Sequence, residues 1–359
     1  MRVLYFLIPL IISLILEFPV KRIALKFGIY AKENERTIHH GKIPRIGGVA
    51  IFIAFMVGVL LFVEDNITSR AVIISGSIIF LEGLLDDIFD VPPIVKIIFQ
   101  LAAATVLVFM GNVYLKVIRL PFNIVFRVNI LGIIVTYFWI VGITNAVNLL
   151  DGLDGLAGGF GVIVLMTIAI ISAIFHTRNV YVISLVLAGA TMGFLYHNFH
   201  PASIFMGDCG SQFLGFMIAG ISVYSFKSTT FITLAIPIIL LFVPIFDTFS
   251  AIIRRTLKHQ SISAPDKRHF HHVLMNTLGQ TGATLTIYVI TAVFGFTAYI
   301  YINDTAQGTL ILILLVLIFE IFIEYTGMIS NSYRPILNVL DKIASKHYHK
   351  AEEETKSDE

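Results

Sequence analysis

One cysteine, Cys209, in 359 residues excludes an intrachain disulfide framework. Charge is scarce as well: Asp, Glu, Lys and Arg supply only 13% of the chain, against roughly 25% in soluble domains. The net charge of +2 is too small to predict a nucleic-acid partner, so the positions of the charges carry more information than their sum. A leader-cleavage signal is also missing. The apolar run of residues 1–16 passes into Glu17 and Pro19 with no small-x-small site, and it reads as an uncleaved first span. No internal repeat and no separate soluble domain is legible.

What is present is hydrophobic sequence, 57% of the chain, with a mean hydropathy of +0.88. Apolar windows fall at 3–20, 46–63, 71–85, 93–113, 129–149, 155–175, 180–199, 212–226, 230–252, 284–303 and 308–325. Each is near the roughly 20 residues that cross a bilayer as a helix. The expected fold is therefore all-α and integral to the membrane, a polytopic bundle of about 11 transmembrane helices. An odd number of spans puts the two ends on opposite sides. The loop after span 1 carries Lys21, Arg22, Lys26, Lys32, Arg36, Lys42 and Arg45; the loop after span 9 carries Arg254, Arg255, Lys258, Lys267 and Arg268; the tail carries Arg334, Lys342, Lys346, Lys350 and Lys356. All three share one side, which the positive-inside rule makes cytoplasmic, with the N-terminus outside. Residues 1–343 read as one catalytic membrane domain, and the charge-dense stretch 344–359 as a mobile tail.

On that topology the cytoplasmic loops, about 21–45, 86–92, 150–154, 200–211 and 253–283, each hold a polar cluster that the external loops do not match. Five clusters on one face are the pattern of a composite site built by a helical bundle. The richest is Asn145-Ala-Val-Asn148-Leu-Leu-Asp151-Gly-Leu-Asp154-Gly155, with Asn or Asp at every third position. Asn145, Asn148 and Asp151 would sweep about 120° of a helix before Gly152 and Gly155 release the backbone. Asp86, Asp87 and Asp90 lie within about 100° of arc, and adjacent carboxylates suit a general base, a divalent metal, or both. Asp208 stands between Gly207 and Gly210, small neighbours that admit a phosphate or metal. Arg268, His269, His271 and His272 offer anion and sugar recognition more readily than zinc, because Lys267 and Arg268 repel a cation. Lys96, three residues inside span 4, is placed to snorkel to the same face.

These motifs, in this order, resemble the polyprenyl-phosphate N-acetylhexosamine-1-phosphate transferases. The matching pieces are Gly41-Lys42-Ile43-Pro44-Arg45-Ile46-Gly47-Gly48, Asp86-Asp87-Ile88-Phe89-Asp90, the stretch Asn145 to Gly155, Phe205-Met206-Gly207-Asp208-Cys209-Gly210-Ser211 and Arg268-His269-Phe270-His271-His272. The muramoyl-pentapeptide branch resembles Phe-His-His-His-Leu-Glu in the last motif. Here Phe270 breaks the histidines and Val273-Leu274 follows, so the chain is more similar to the WecA/TagO-like branch. The resemblance implies transfer of N-acetylglucosamine 1-phosphate from UDP-N-acetylglucosamine to undecaprenyl phosphate, releasing UMP. It implies Mg²⁺, with Mn²⁺ as a substitute, held by Asp208 and Asn148. Catalytic roles fall to Asp86, Asp87, Asp151 and His271, with Asp86 or Asp87 taking the lipid phosphate proton. Substrate would meet Lys42, Lys96, Asn145, Asp154, Asn198, Phe205, Arg268, His269 and His272, with Phe205 stacked on uracil and Asp154 on its edge. The implied setting is the bacterial inner membrane, with homodimer formation compatible. The alternatives are the pentapeptide-sugar donor or another UDP-N-acetylhexosamine and, from a different class, a secondary transporter, which intramembrane acids also mark. The apolar span centres favour the enzyme.

Overall fold

The structure is a computed structural model that describes residues 2–31, 43–120, 124–226, 235–261, 268–329 and 333–342. Its helices are α1 (Leu4–Phe27), α2 (Gly48–Phe62), α3 (Ile67–Phe89), α4 (Pro93–Thr105), α5 (Asn129–Leu150), α6 (Leu156–Ile174), α7 (Arg178–Asn198), α8 (Gly207–Phe226), α9 (Ala235–Leu240), α10 (Phe242–Leu257), α11 (Phe270–Asn303) and α12 (Thr305–Thr326). Every expected apolar window falls on one or two of these helices. Among the described residues, seven helices are long and apolar enough to cross a membrane, and α2 is a shorter apolar one. The chain is a multi-span membrane protein.

Three local departures from the expected pattern have physical causes. The ninth window divides into α9 and α10 at Leu241, where Pro237 and Pro244 each remove a backbone donor. The tenth begins earlier than hydropathy suggests, because α11 contains a polar first section from Phe270 that joins its apolar length at Gly279, φ 70°. The fold is also not wholly helical: strands β1 (Val117–Leu120) and β2 (Ile124–Arg127) pair antiparallel, Val117 opposite Arg127 and Leu120 opposite Ile124. β-Branched residues in both segments favour that pairing. The expected tail, 344–359, lies outside the described residues.

The core that positions the site is α8, which lies between α3 and α5, while α7 packs between α1 and α6. The α2 and α8 backbones approach so closely that a Cβ at Gly48 would meet the backbone of Gly210. Small residues permit such approaches where dispersion and hydrogen bonds, not water exclusion, hold helices together. The result brings the ends of α3 and α5 and the starts of α2 and α8 to one end of the bundle.

Candidate active site

The segment before α2 is latched to the start of α8 by three backbone bonds. Phe205 N donates to Pro44 O at 2.7 Å, Gly47 N to Phe205 O at 2.9 Å, and Gly48 N to Met206 O at 2.8 Å. Gly207, φ 72°, makes the turn into α8; a Cβ there would meet Arg45 O and lie 2.5 Å from Asp87 Oδ2. Only glycine tolerates both the conformation and the crowding. Asp87 then caps the helix from α3: Oδ1 accepts from Asp208 N at 2.9 Å and Oδ2 from Cys209 N at 3.0 Å. Both bonds satisfy orphan donors at a helix N-terminus, where the dipole also favours a negative charge.

Around that cap the charges interlock. Arg45 donates through Nε to Asp87 Oδ1 at 3.1 Å and through Nη2 to Asp208 Oδ1 at 3.4 Å, and its Nη2 also stands 3.0 Å from Asp87 Oδ1 as an ion pair. Burial pulls its pKa down, but the carboxylates of Asp87 and Asp208 outweigh it and keep the guanidinium charged. Lys96 Nζ bridges Asp86 Oδ2 at 2.6 Å and Asp208 Oδ2 at 2.7 Å. Asp86 Oδ1 accepts from Val91 N at 2.7 Å. Glu82, one turn deeper on α3, is buried with neither carboxyl oxygen hydrogen-bonded.

Asn148 Nδ2 lies 3.5 Å from Asp208 Oδ2, and its Oδ1 accepts from Ser211 Oγ at 2.7 Å. Asn145, one turn deeper, faces not this cluster but Gln100, to whose Oε1 it donates at 2.9 Å. Asp151 follows as the C-cap of α5, half-buried. Desolvation, added to the negative charge of Asp208 and Asp87, pushes its pKa up to about 7.

The next turn is organised by Asp154 and Asn198. Buried Asp154 accepts at Oδ2 from His200 Nδ1 at 2.8 Å and Ala202 N at 3.0 Å. Asn198 accepts from Gly155 N at 3.0 Å and donates to Ile204 O at 2.9 Å. Phe205 is half-buried beside them in sequence. The histidine segment arrives through α11: a Cβ at Gly152 would stand 2.5 Å from His271 Nε2. His269, His271 and His272 cluster, the first two nearly parallel with centroids 5.6 Å apart. Phe270 turns the other way, into an aromatic group with Phe246, Phe319 and Phe322. Arg268 is exposed at the start of this segment, and Lys42 lies outside the described residues.

The structure also supplies participants that the motif reading did not select. Arg45 stood inside a quoted motif, yet its place between two carboxylates was not legible. Asp247, on α10, accepts from His269 Nδ1 at 3.1 Å and Phe270 N at 2.8 Å, and lies 3.8 Å from His271 Nδ1. A buried acid inside an apolar run was the signal available for it. Gln100 and Gln212, both fully buried, gave no motif at all.

Residues 69–226 match the family described as Glycosyl transferase family 4. A Bacillus subtilis (strain 168) protein named probable undecaprenyl-phosphate N-acetylglucosaminyl 1-phosphate transferase is 40% identical over 352 residues, covering 96% of this chain and 98% of its own. The decaprenyl-phosphate N-acetylglucosaminephosphotransferase of Mycolicibacterium smegmatis is 36% identical, covering 78% and 77%. The undecaprenyl-phosphate alpha-N-acetylglucosaminyl 1-phosphate transferase of Escherichia coli K12 is 27% identical over 72% of each chain.

Proposed function

Because the chain belongs to glycosyl transferase family 4, we propose that it transfers N-acetylglucosamine 1-phosphate from UDP-N-acetylglucosamine to undecaprenyl phosphate. A phosphate oxygen of the lipid forms a bond to the β-phosphorus as the bond from that phosphorus to the bridging oxygen breaks, giving the lipid diphosphate sugar and UMP. The observation that carries the reading is the single hydrogen-bonded cluster formed by Arg45, Asp86, Asp87, Lys96, Asn148 and Asp208, residues drawn from five separate elements.

A divalent ion suits the donors present. Among the described residues no group of three or more His, Cys, Asp or Glu side chains is arranged to hold an ion by itself. Mg²⁺ instead takes one or two protein carboxylates together with phosphate oxygens and water. Asp208 is the fitting ligand, because its Oδ1 takes one hydrogen bond, the long one from Arg45 Nη2 at 3.4 Å, and Asn148 stands beside it. Bound there, the ion would neutralise the diphosphate and stabilise the departing UMP.

The protein groups divide the remaining work. Asp87, whose oxygens take three hydrogen bonds and the Arg45 ion pair, is fixed as the cap of α8 and is poorly placed to take a proton. Asp151 is the better acceptor of the lipid phosphate proton, since a carboxyl with a pKa of about 7 matches the optimum for a general base near neutral pH. Lys96 and Arg45 hold the local carboxylates together against two incoming anions. Arg268 offers a planar fork to phosphate oxygens, and His269, His271 and His272 supply donors for phosphate and sugar. Phe205, Asp154 and Asn198 form the nucleoside side of the site.

This reading includes eleven spans, a cytoplasmic site and C-terminus, and residence in a bacterial inner membrane. A tag after Glu359 that is reachable from outside intact cells would overturn the orientation. For the activity, labelled UDP-N-acetylglucosamine is incubated with purified protein, undecaprenyl phosphate and Mg²⁺. Label should enter the lipid phase, and Asp208→Ala should lower its rate about a hundredfold or more. With UDP-muramoyl-pentapeptide at equal concentration, the unsubstituted sugar should be transferred preferentially. The opposite preference would move the chain to the other donor while leaving the family intact.

A further inference from the structure

Below Asp208 a row of carboxamides runs inward between α4, α5 and α8. Each amide has one acceptor end and one donor end, so a chain of them has a direction that its first member sets. Here the first contact is the Val141 carbonyl, which can only accept, and Asn145 Nδ2 donates to it at 2.7 Å. The same nitrogen donates to Gln100 Oε1 at 2.9 Å. With its oxygen thus engaged, Gln100 turns Nε2 to Gln212 Oε1 at 3.0 Å. Gln212 in turn presents Nε2 to Asp208 Oδ2 at 3.1 Å.

We propose that Gln100 and Gln212, anchored by Asn145, are positioning residues that fix which oxygen of Asp208 is offered to a divalent cation. Oδ2 receives Lys96 Nζ, Gln212 Nε2 and Asn148 Nδ2 at 2.7, 3.1 and 3.5 Å. Oδ1 accepts from Arg45 Nη2 alone among the bonds described, at 3.4 Å. The carboxylate is thereby held with three donors on Oδ2 against a single long bond on Oδ1. Both glutamines are fully buried, so neither amide has water as a substitute partner. Reversal of any one of them would set an oxygen against an oxygen along the row, and that mutual dependence makes the row a unit.

The inference rests on the metal reading of Asp208, and the test separates the two. Mn²⁺ binding to the purified full-length protein in detergent is followed by electron paramagnetic resonance for the unaltered chain, Asp208→Ala, Gln212→Leu, Gln100→Leu and the double variant. Gln100→Leu, which does not touch Asp208, should weaken Mn²⁺ about tenfold, comparable to the loss of one hydrogen bond to a charged group. Gln212→Leu should do the same, and the double variant should be no weaker than Gln212→Leu alone, because both act through one bond. Independent structural damage would instead multiply the two losses, or lower thermal stability with Mn²⁺ affinity unchanged, and either result overturns the inference. If Gln100→Leu does not fold, Asn145→Leu, at the half-buried end of the row, is measured in its place and should weaken binding severalfold; unaltered affinity there overturns the inference equally. Loss of Mn²⁺ in Asp208→Ala with normal binding in Gln100→Leu refutes the row alone. Equal binding in the unaltered chain and Asp208→Ala refutes the metal reading and the row with it.

Discussion

The two ends of the bundle both carry short ion pairs, and the contrast between them separates geometry from consequence. At the end away from the site, Arg70 meets Asp65 and Arg178 meets Glu64, each at 2.6 Å, with all four side chains more than half exposed. At the site end, Arg45 meets Asp87 at 3.0 Å and Lys96 meets Asp86 and Asp208 at 2.6 and 2.7 Å, but the Asp87 side chain is fully covered and that of Lys96 is 21% exposed. The exposed pairs are no longer than the covered ones. Solvent screens them, and each stands alone. The covered pairs share partners, so that removing one member strands several others. Distance alone would have ranked the two ends equal.

The sharpest way to break this comparison is Asp87→Ala. It leaves the first N–H groups of α8 without their acceptor and removes the nearer of the two carboxylates from Arg45, and the loss of one member of a buried pair costs about 3–5 kcal/mol. Thermal or denaturant unfolding should register that loss, and transfer should vanish with it. A variant that keeps the original stability would mean that the cap on α8 is dispensable.

A smaller effect is expected at Gly152, where the neighbour is a catalytic candidate. The added methyl of Gly152→Ala would stand 2.5 Å from His271 Nε2, and the imidazole is buried and stacked on its neighbours. A displacement of about 1 Å at a reacting group typically costs about a hundredfold in rate. Initial rates should fall by that order while the melting temperature stays close to that of the unaltered chain.

The pH dependence at Asp151 sharpens the comparison from another side. Its folded pKa of about 7 lies above the ordinary value of 3.8, so between those limits the folded chain binds more protons than the unfolded one. Stability then falls as pH rises through that window and levels off above it. Melting temperatures measured in EDTA should decline between about pH 4 and 7, and Asp151→Asn should flatten the decline. An unchanged slope would place the titrating group elsewhere.

The smallest effect belongs to the far end. Asp65→Ala removes the acceptor of a fully exposed bidentate pair with Arg70. Melting temperature and transfer rate should both match those of the unaltered chain, and a measurable loss in either would erase the contrast between the two ends.

Sequence patterning was sufficient for the membrane class, because bilayer thickness imposes a length on every apolar window and the windows can be counted along the chain. The polar clusters at the window ends were legible for the same reason, since nothing in a hydrophobic span requires Asn148, Asp151 or Asp208. The turned-away Phe270 was also foreseeable: an aromatic ring among histidines needs apolar surroundings of its own. Pairing was a different matter. Asp87 and Arg45 are 42 residues apart, and Asn148 and Asp208 are 60 apart, so only the packing of α8 between α3 and α5 selects those partners. It also gave residues of the quoted motifs partners that no motif names: Asn145 donates to Gln100, and Asp87 caps α8, because the identity of a side chain leaves open which neighbours will compete for its hydrogen bonds. Gln100, Gln212 and Asp247 carried no motif, and each drew its role from a partner on another helix. Local chemistry and bilayer length can be read along one dimension; the direction of an amide row or the protonation of Asp151 depends on distances that exist only once the helices have packed.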